Sequence, residues 1–184
     1  MKYIDLYHLE KYLFETVGPR FKKNTKLSAF DFFCIVIWKA NRAKSKVAKR
    51  LLSIDPLKRK DLNLIVKDIT SKIYNENDLQ NRLKILMVDW GFRLPMASAI
   101  LTVLFPDDFT IYDVRVCDSL CAHHKLGNKT KFKNIWEEYQ KFKSDVKNRT
   151  PSNLSLRDKD RYLWGQSFKN QLEDDIKQMF PKKD

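Results

Sequence analysis

One stretch, residues 85–120, constrains the fold most: ILMVDWGFRLPMASAILTVLFPDDFTIYDVRVCDSL. Apolar residues at helical spacing stand on both sides of a single glycine, Gly91, and Pro95 follows at a position typical of the first turn of a helix. Asp113 then precedes another apolar run, as an N-cap residue does. The stretch therefore predicts two helices joined by a tight hairpin, with a third helix beginning at Asp113.

The remainder of the chain repeats the helical pattern, and its composition argues against a many-stranded fold. Only 4 of the 184 residues are glycine, which leaves few residues suited to β-hairpin turns. No alternating stretch is long enough for a sheet. We predict an all-α protein, a bundle of about 8–10 helices built as a single domain.

Serine and aspartate residues mark several helix starts, because their side chains accept hydrogen bonds from the free N–H groups of a first turn. Ser28 with Asp31, and Ser155 with Asp158, have the spacing of a capping box. The helix starts predicted in this way lie at Ser28, Asp55, Asp61, Asp78 and Ser155.

Glycine and proline mark the predicted breaks. Gly18 and Pro19 are expected to close the first helix, and Phe105 with Pro106 to close the helix that follows the hairpin. Residues 148–153, which include a proline, are the best linker candidate.

The charge balance indicates a polyanionic partner. Lysine and arginine number 36 against 23 aspartate and glutamate residues, a net charge of +13. The apolar helix that ends near Trp38 runs directly into Lys39, Asn41, Arg42 and Lys44, which we expect to contact DNA. The alternative is a basic surface that only keeps the protein in solution.

No cofactor, metal or membrane contact is expected. The chain lacks a run of about 18 apolar residues, and acidic side chains interrupt its first residues, so we expect a cytoplasmic protein. Cys117, Cys121 and His124 lie near one helix face, where zinc is conceivable, but no fourth ligand is near. Ordinary packing of the cysteines is the preferred interpretation.

Asp113 has two interpretations. As an N-cap it would contribute about 1 kcal/mol to stability. As a carboxylate beside a sugar, it would stabilise an oxocarbenium-like transition state while a base departs. Arg115 can hold a flanking phosphate, and the hairpin at Gly91 and Arg93 can bind another through free backbone N–H groups. Residues 85–124 contain no lysine, so an amine nucleophile for Schiff-base chemistry is missing.

These residues resemble the helix-hairpin-helix DNA glycosylase superfamily, and its 8-oxoguanine glycosylase-like branch in particular. The family's Gly-Val-Gly hairpin would lie on Gly91-Phe92-Arg93, and its essential aspartate on Asp113. The phosphate-contacting residue would be Arg115. The family's lyase lysine falls on Pro95, so the resemblance implies a monofunctional enzyme without the β-lyase step.

The resemblance also implies two helical lobes around a cleft, residues 27–125 and residues 1–26 with 126–184. It assigns Asn41 to the gap that a flipped base leaves in the duplex. Trp38, Trp164 and Gln166 would belong to the base pocket, with Gln166 reading the base.

The function expected is therefore that of a monomeric protein that binds double-stranded DNA, flips out a base and hydrolyses its N-glycosidic bond with Asp113. Arg93 and Pro95 depart from the family pattern, which leaves a second hypothesis open. This is a catalytically inactive DNA-recognition module in a bacterial repair or antiphage system. A helical protein-interaction domain with an acidic partner is a third.

Overall fold

The computed structural model describes residues 3–180, and within this range the regular elements are helices with no strand. The all-α prediction is thereby confirmed. No helix in this range is long and apolar enough to cross a membrane. The α-helices are α1 (Leu9–Tyr12), α2 (Gly18–Asn24), α3 (Ala29–Ala40), α4 (Lys44–Ile54), α5 (Leu62–Asn75), α6 (Leu79–Lys84), α7 (Leu94–Leu104), α8 (Val114–Leu120), α9 (Phe132–Asn148) and α10 (Leu156–Lys177).

Two compact units make up the chain, Met1–Phe109 and Thr110–Asp184. The sequence placed candidate lobe boundaries elsewhere, after residues 26 and 125. The arrangement of two lobes around a cleft stays a prediction.

The first unit is built on α3 and α7, which pack against each other. Ser28 begins α3 as predicted, with its hydroxyl accepting from the N–H of Asp31. The Asp31 carboxylate is buried and turns away from this cap. It accepts from the Tyr12 hydroxyl at 2.7 Å and from the Arg20 guanidinium at 2.9 Å. Burial, together with Asp31, raises the pKa of Tyr12 to about 12.

Asp61, Asp78 and Ser155 each cap the helix that follows them, as predicted, whereas the helix start at Asp55 is wrong. Asp55 ends α4 instead and is buried there. Its carboxylate accepts from the backbone N–H of Arg59 at 2.8 Å and from the guanidinium at 2.6 Å. These bonds lower its pKa to about 2. A fork of charged donors outcompetes the single N–H that an N-cap would offer.

The prediction that Gly18 and Pro19 close the first helix is also wrong. The helix continues from α1 through a π-helical turn, Leu13–Val17, into α2. It ends only at Thr25, whose backbone is left-handed. A wider π turn ahead of the proline accommodates its ring and its missing N–H. Gly18 serves packing, because a Cβ there would lie 2.9 Å from the carbonyl oxygen of Val103.

In the second unit α10 packs against α8 and α9. Residues 148–153 are not a loose linker, because the buried Lys159 side chain of α10 holds them. Its ammonium group donates to the carbonyl of Lys147 at 3.1 Å, to that of Pro151 at 2.7 Å, and to the Thr150 hydroxyl at 3.1 Å. A cation among the last carbonyls of a helix satisfies them and complements the helix dipole. The segment is thus a fixed turn between α9 and α10.

Candidate functional site

Where the sequence predicted a hairpin, Trp90–Arg93 form a tight turn between a π-helical turn, Ile85–Asp89, and α7. Trp90 and Phe92 are buried, 4% and 3% exposed, and they fix the turn to the core of the first unit. Gly91 between them has a φ of 64°, a conformation that costs glycine nothing. The N–H of Phe92 closes the turn by donating to the carbonyl of Leu86 at 2.9 Å.

The second helix of the hairpin, α7, begins without a side-chain cap. Arg93 is its N-cap residue and is exposed, while Pro95 lies in the first turn. The N–H groups of Met96 and Ala97 share the Arg93 carbonyl at 3.0 Å. Within residues 3–180 no backbone oxygen accepts from the N–H of Leu94. The start of α7 therefore combines a backbone donor without a backbone partner, on the buried Leu94, with the positive end of a helix dipole and an exposed arginine side chain.

A second arginine, which the sequence interpretation missed, supports the hairpin. The Arg50 guanidinium of α4 donates to the carbonyl of Gly91. The side chain of Ile54, one turn further along α4, also lies beside Gly91, where a Cβ would be 3.5 Å from its Cδ1. Lys46 and Lys49 are exposed on the same helix. The C-terminal half of α4 thus borders the hairpin through Arg50 and Ile54, a contact that only the fold could reveal.

The cationic segment after α3 is exposed, although its amide is engaged locally. Asn41 begins a short 3-10 turn and accepts from the Lys44 ammonium at 2.8 Å. Arg42 is exposed and Lys39 half-buried. Trp38, assigned to a base pocket by the resemblance, is half-buried with its ring edge-to-face against Phe14 at 5.7 Å. Contact of these residues with DNA stays a prediction.

In the second unit Asp113 is the N-cap residue of α8, as its position in the sequence predicted. Its Oδ1 accepts from the N–H of Arg115 at 3.0 Å. Asp113 as a whole is half-buried. This cap places the carboxylate at the positive end of the α8 dipole.

Side chains from two other helices hold the segment that delivers Asp113. The Tyr139 hydroxyl of α9 donates to the carbonyl of Thr110 at 2.7 Å and accepts from its N–H at 3.1 Å. The buried Asp160 carboxylate of α10 accepts from the N–H of Ile111 at 3.2 Å and from Arg157 at 3.1 Å. This extended segment therefore obtains from side chains the hydrogen bonds that a neighbouring strand would otherwise supply.

Arg115 points to α10, where it meets two aromatic side chains. Its Nη1 donates to the Gln171 side chain at 3.0 Å. Its guanidinium carbon lies 5.3 Å from the ring centroid of Trp164 and 5.5 Å from that of Phe168. Gln166 is exposed, but residues two apart on a helix do not share a face, so it points away from Trp164.

The two cysteines of α8 and its C-terminus differ in their exposure to solvent. Cys117 is buried, and desolvation raises the pKa of its thiol to about 11, whereas Cys121 is exposed. In the part of the chain that is described, no group of three or more His, Cys, Asp or Glu side chains is placed to hold a metal ion.

The geometry thus comprises a helical hairpin with cations in the first unit, and a capping aspartate beside an arginine-aromatic cluster in the second. The first set comes from α4 and α7, and the second from α8 and α10. Comparison with known proteins adds no relative to these observations: no family model, no curated protein and no solved structure matches this chain.

Proposed function

We propose that this protein binds double-stranded DNA through the hairpin Trp90–Arg93 and removes a base by a monofunctional glycosylase mechanism. One observation carries the proposal: the left-handed Gly91 turn sets the uncapped start of α7 beside Arg93. Backbone N–H groups at a helix start bind a phosphate, and the arginine adds a charged contact to the same group.

The charge of the surrounding surface supports the same partner. The exposed Lys46 and Lys49 stand on α4, whose Arg50 is bonded to the hairpin. The chain as a whole carries +13. Cations placed along a phosphate backbone release condensed counterions, so binding should weaken steeply as salt rises.

Replacing Arg93 by alanine should weaken binding of a duplex oligonucleotide about tenfold and reduce its salt dependence by about one released counterion. Fluorescence anisotropy across a salt series measures both quantities. The matched control is Lys22→Ala, which removes an exposed cation from α2 and should change affinity less than about twofold. Equal effects of the two substitutions would show that the hairpin contributes only general charge.

In the catalytic step Asp113 stays ionised and stabilises the positive charge that grows on the sugar as the glycosidic bond breaks. The oxygen of water then bonds to the anomeric carbon in place of the base nitrogen, and one proton of that water passes to the departing base. Pro95 occupies the position where the resembling family has its lysine, so no amine attacks the sugar and the strand is left intact. The product is an abasic site, which alkali converts into a strand break.

Replacing Asp113 by asparagine should lower base release at least about 100-fold while the melting temperature stays within a few degrees. Asparagine caps a helix as well as aspartate, so only the charge is lost. The assay uses duplexes with 8-oxoguanine, uracil or alkylated bases, followed by alkali. Glu137→Gln changes an exposed carboxylate of α9 in the same unit and should leave the rate unchanged. A wild-type rate in Asp113→Asn would refute catalysis by this residue.

A second candidate function, recognition of DNA without base removal, is favoured by one observation. Arg93 stands in the hairpin where the resembling family has a second glycine, and the side chain there changes how closely the backbone can approach a phosphate. Duplex binding that persists in Asp113→Asn, with no base released by the wild type from any duplex, would establish this function instead.

A further inference from the structure

Two aromatic side chains lie exposed and parallel on α10. Trp164 and Phe168 are 42% and 45% exposed, and their ring centroids are 5.6 Å apart with an angle of 8° between the ring planes. The residues are one helical turn apart, so the backbone of α10 sets their separation. Aromatic rings in this state present apolar faces to water, which an aromatic ligand can cover.

Arg115 of α8 gives this aromatic pair a fixed positive charge. Its guanidinium lies about equally far from both rings, at 5.3 and 5.5 Å, and the 3.0 Å bond to Gln171 holds it there. Because Gln171 is uncharged, the bond orients the guanidinium without neutralising it. A planar cation beside aromatic rings suits a ligand that carries both a flat ring and a negative charge.

Gly165, which lies between the two aromatic residues in the sequence, leaves this part of the α10 surface without a side chain. A glycine inside a helix lowers helix stability relative to alanine. Packing within the chain does not require this one, because a Cβ at Gly165 would meet nothing within 4 Å. Gly18 differs, since a Cβ there would collide with a backbone oxygen. Gly165 lies three residues before Phe168 and so on its face of α10, and the absence of a side chain there leaves the surface beside Phe168 open.

We propose that Trp164, Phe168 and Arg115 form a stacking platform for an unpaired base of single-stranded DNA. This inference rests on the proposed function. It adds single-stranded DNA, whose bases are unpaired, as a substrate class. The rings stack on the base, which every base permits through its π face. The guanidinium of Arg115 binds an adjacent phosphate.

The charges along α10 favour one direction in which the bound strand can leave the platform. Asp174 and Asp175 line an acidic groove of about 340 Å³ with Asp118 toward the C-terminal half of α10. Arg161 lies one turn before Trp164 on the N-terminal side. Arg161 is engaged there with the Asp158 carboxylate at 3.2 Å. The carboxylates of the groove repel phosphates, so we expect the strand to leave the platform on the side away from the groove.

The test uses the full chain and a fluorescent oligothymidylate, with an abasic sugar-phosphate strand of equal length as the probe without bases. Trp164→Ala and Phe168→Ala should each weaken oligothymidylate binding about tenfold, as base–aromatic stacking predicts. Tyr162→Ala is the matched control, because Tyr162 is 48% exposed on α10 but two positions from Trp164 and so on another face. Trp164→Phe keeps a ring and should restore most of the affinity.

Gly165→Ala provides a readout that a purely structural role cannot produce. Alanine should raise the melting temperature because it favours the helix, while its methyl group should weaken oligothymidylate binding several-fold. Stronger folding with weaker binding supports the platform. Stronger folding with unchanged binding overturns the role of this open surface.

Three other results would overturn the platform. The first is equal affinity for the abasic strand, and the second is wild-type oligothymidylate affinity in both alanine variants while duplex binding still depends on Arg93. In these two cases the proposed function stands. The third is a concentration-dependent dimer that Trp164→Ala dissolves, which would make this face a contact between two copies. If the wild type binds neither the single strand nor the duplex, both the platform and the proposed function are refuted.

Discussion

Replacing Lys159 by methionine is expected to lower the free energy of unfolding of the second unit by about 2–4 kcal/mol. Methionine keeps the length and the apolar stem of the side chain but loses the ammonium group. The carbonyls of Lys147 and Pro151 and the hydroxyl of Thr150 then lose a charged donor. Hydrogen bonds to a charged group contribute more than neutral ones, and this group also opposes the negative end of the α9 dipole.

Urea unfolding followed by circular dichroism measures this loss, with Lys169→Met as the matched control. Lys169 lies on the same helix but is exposed, with 73% of its side chain accessible in a pair with Glu173. Its replacement should change stability by less than about 0.5 kcal/mol. If both variants unfold at the same urea concentration, the turn 148–153 does not depend on Lys159.

Removing one oxygen atom from the second unit, with Tyr139→Phe, is expected to lower its stability by about 2–4 kcal/mol. The Tyr139 hydroxyl serves both the N–H and the carbonyl of Thr110, and both residues are fully buried. Phenylalanine fills the same space, so the whole effect comes from two backbone groups left without a partner and without water. Burial also raises the pKa of Tyr139 well above its usual range, which keeps the hydroxyl proton in place.

Tyr162→Phe removes the same oxygen from an exposed tyrosine and should leave the urea midpoint unchanged. A second readout concerns Asp113, which follows the segment that Tyr139 holds. If Asp113 acts in base release, Tyr139→Phe should lower the rate of base release even at temperatures where the variant is still folded. The reason is that a misplaced carboxylate stabilises the positive charge on the sugar less. Equal stability of Tyr139→Phe and wild type would mean that solvent reaches Thr110.

Local rules predicted the helices of this chain well. A serine or aspartate cap depends on residues two or three positions away, so Ser28, Asp61 and Ser155 could be identified from spacing alone. The same holds for the turn at Gly91, because glycine adopts the positive φ found there without steric cost. Asp55 was misread because its bonds to Arg59 outweigh the local preference, and Gly18 because a π turn carries the helix past it.

The contacts that hold the candidate site together could not be predicted in this way. Arg50 reaches Gly91, Tyr139 reaches Thr110 and Lys159 reaches Pro151, each from another helix. Sequence spacing carries no information about such pairs, and a lysine in a basic chain gives no sign that it is buried. The sequence indicated the stretch from Trp164 to Phe168 as a possible lid, but it did not predict the stacking of the two rings or the bond of Arg115 to Gln171.

The burial of α7 has a consequence for any ligand that meets its first turn. Leu94 and every residue from Ala97 to Leu104 are buried, so this helix has almost no free side on which to shift or bend. A phosphate bound at Arg93 would meet donors whose positions are already fixed by the packing of the first unit. Such a site loses little conformational entropy on binding, and the affinity gained per contact is correspondingly higher than for a loop that must first become ordered.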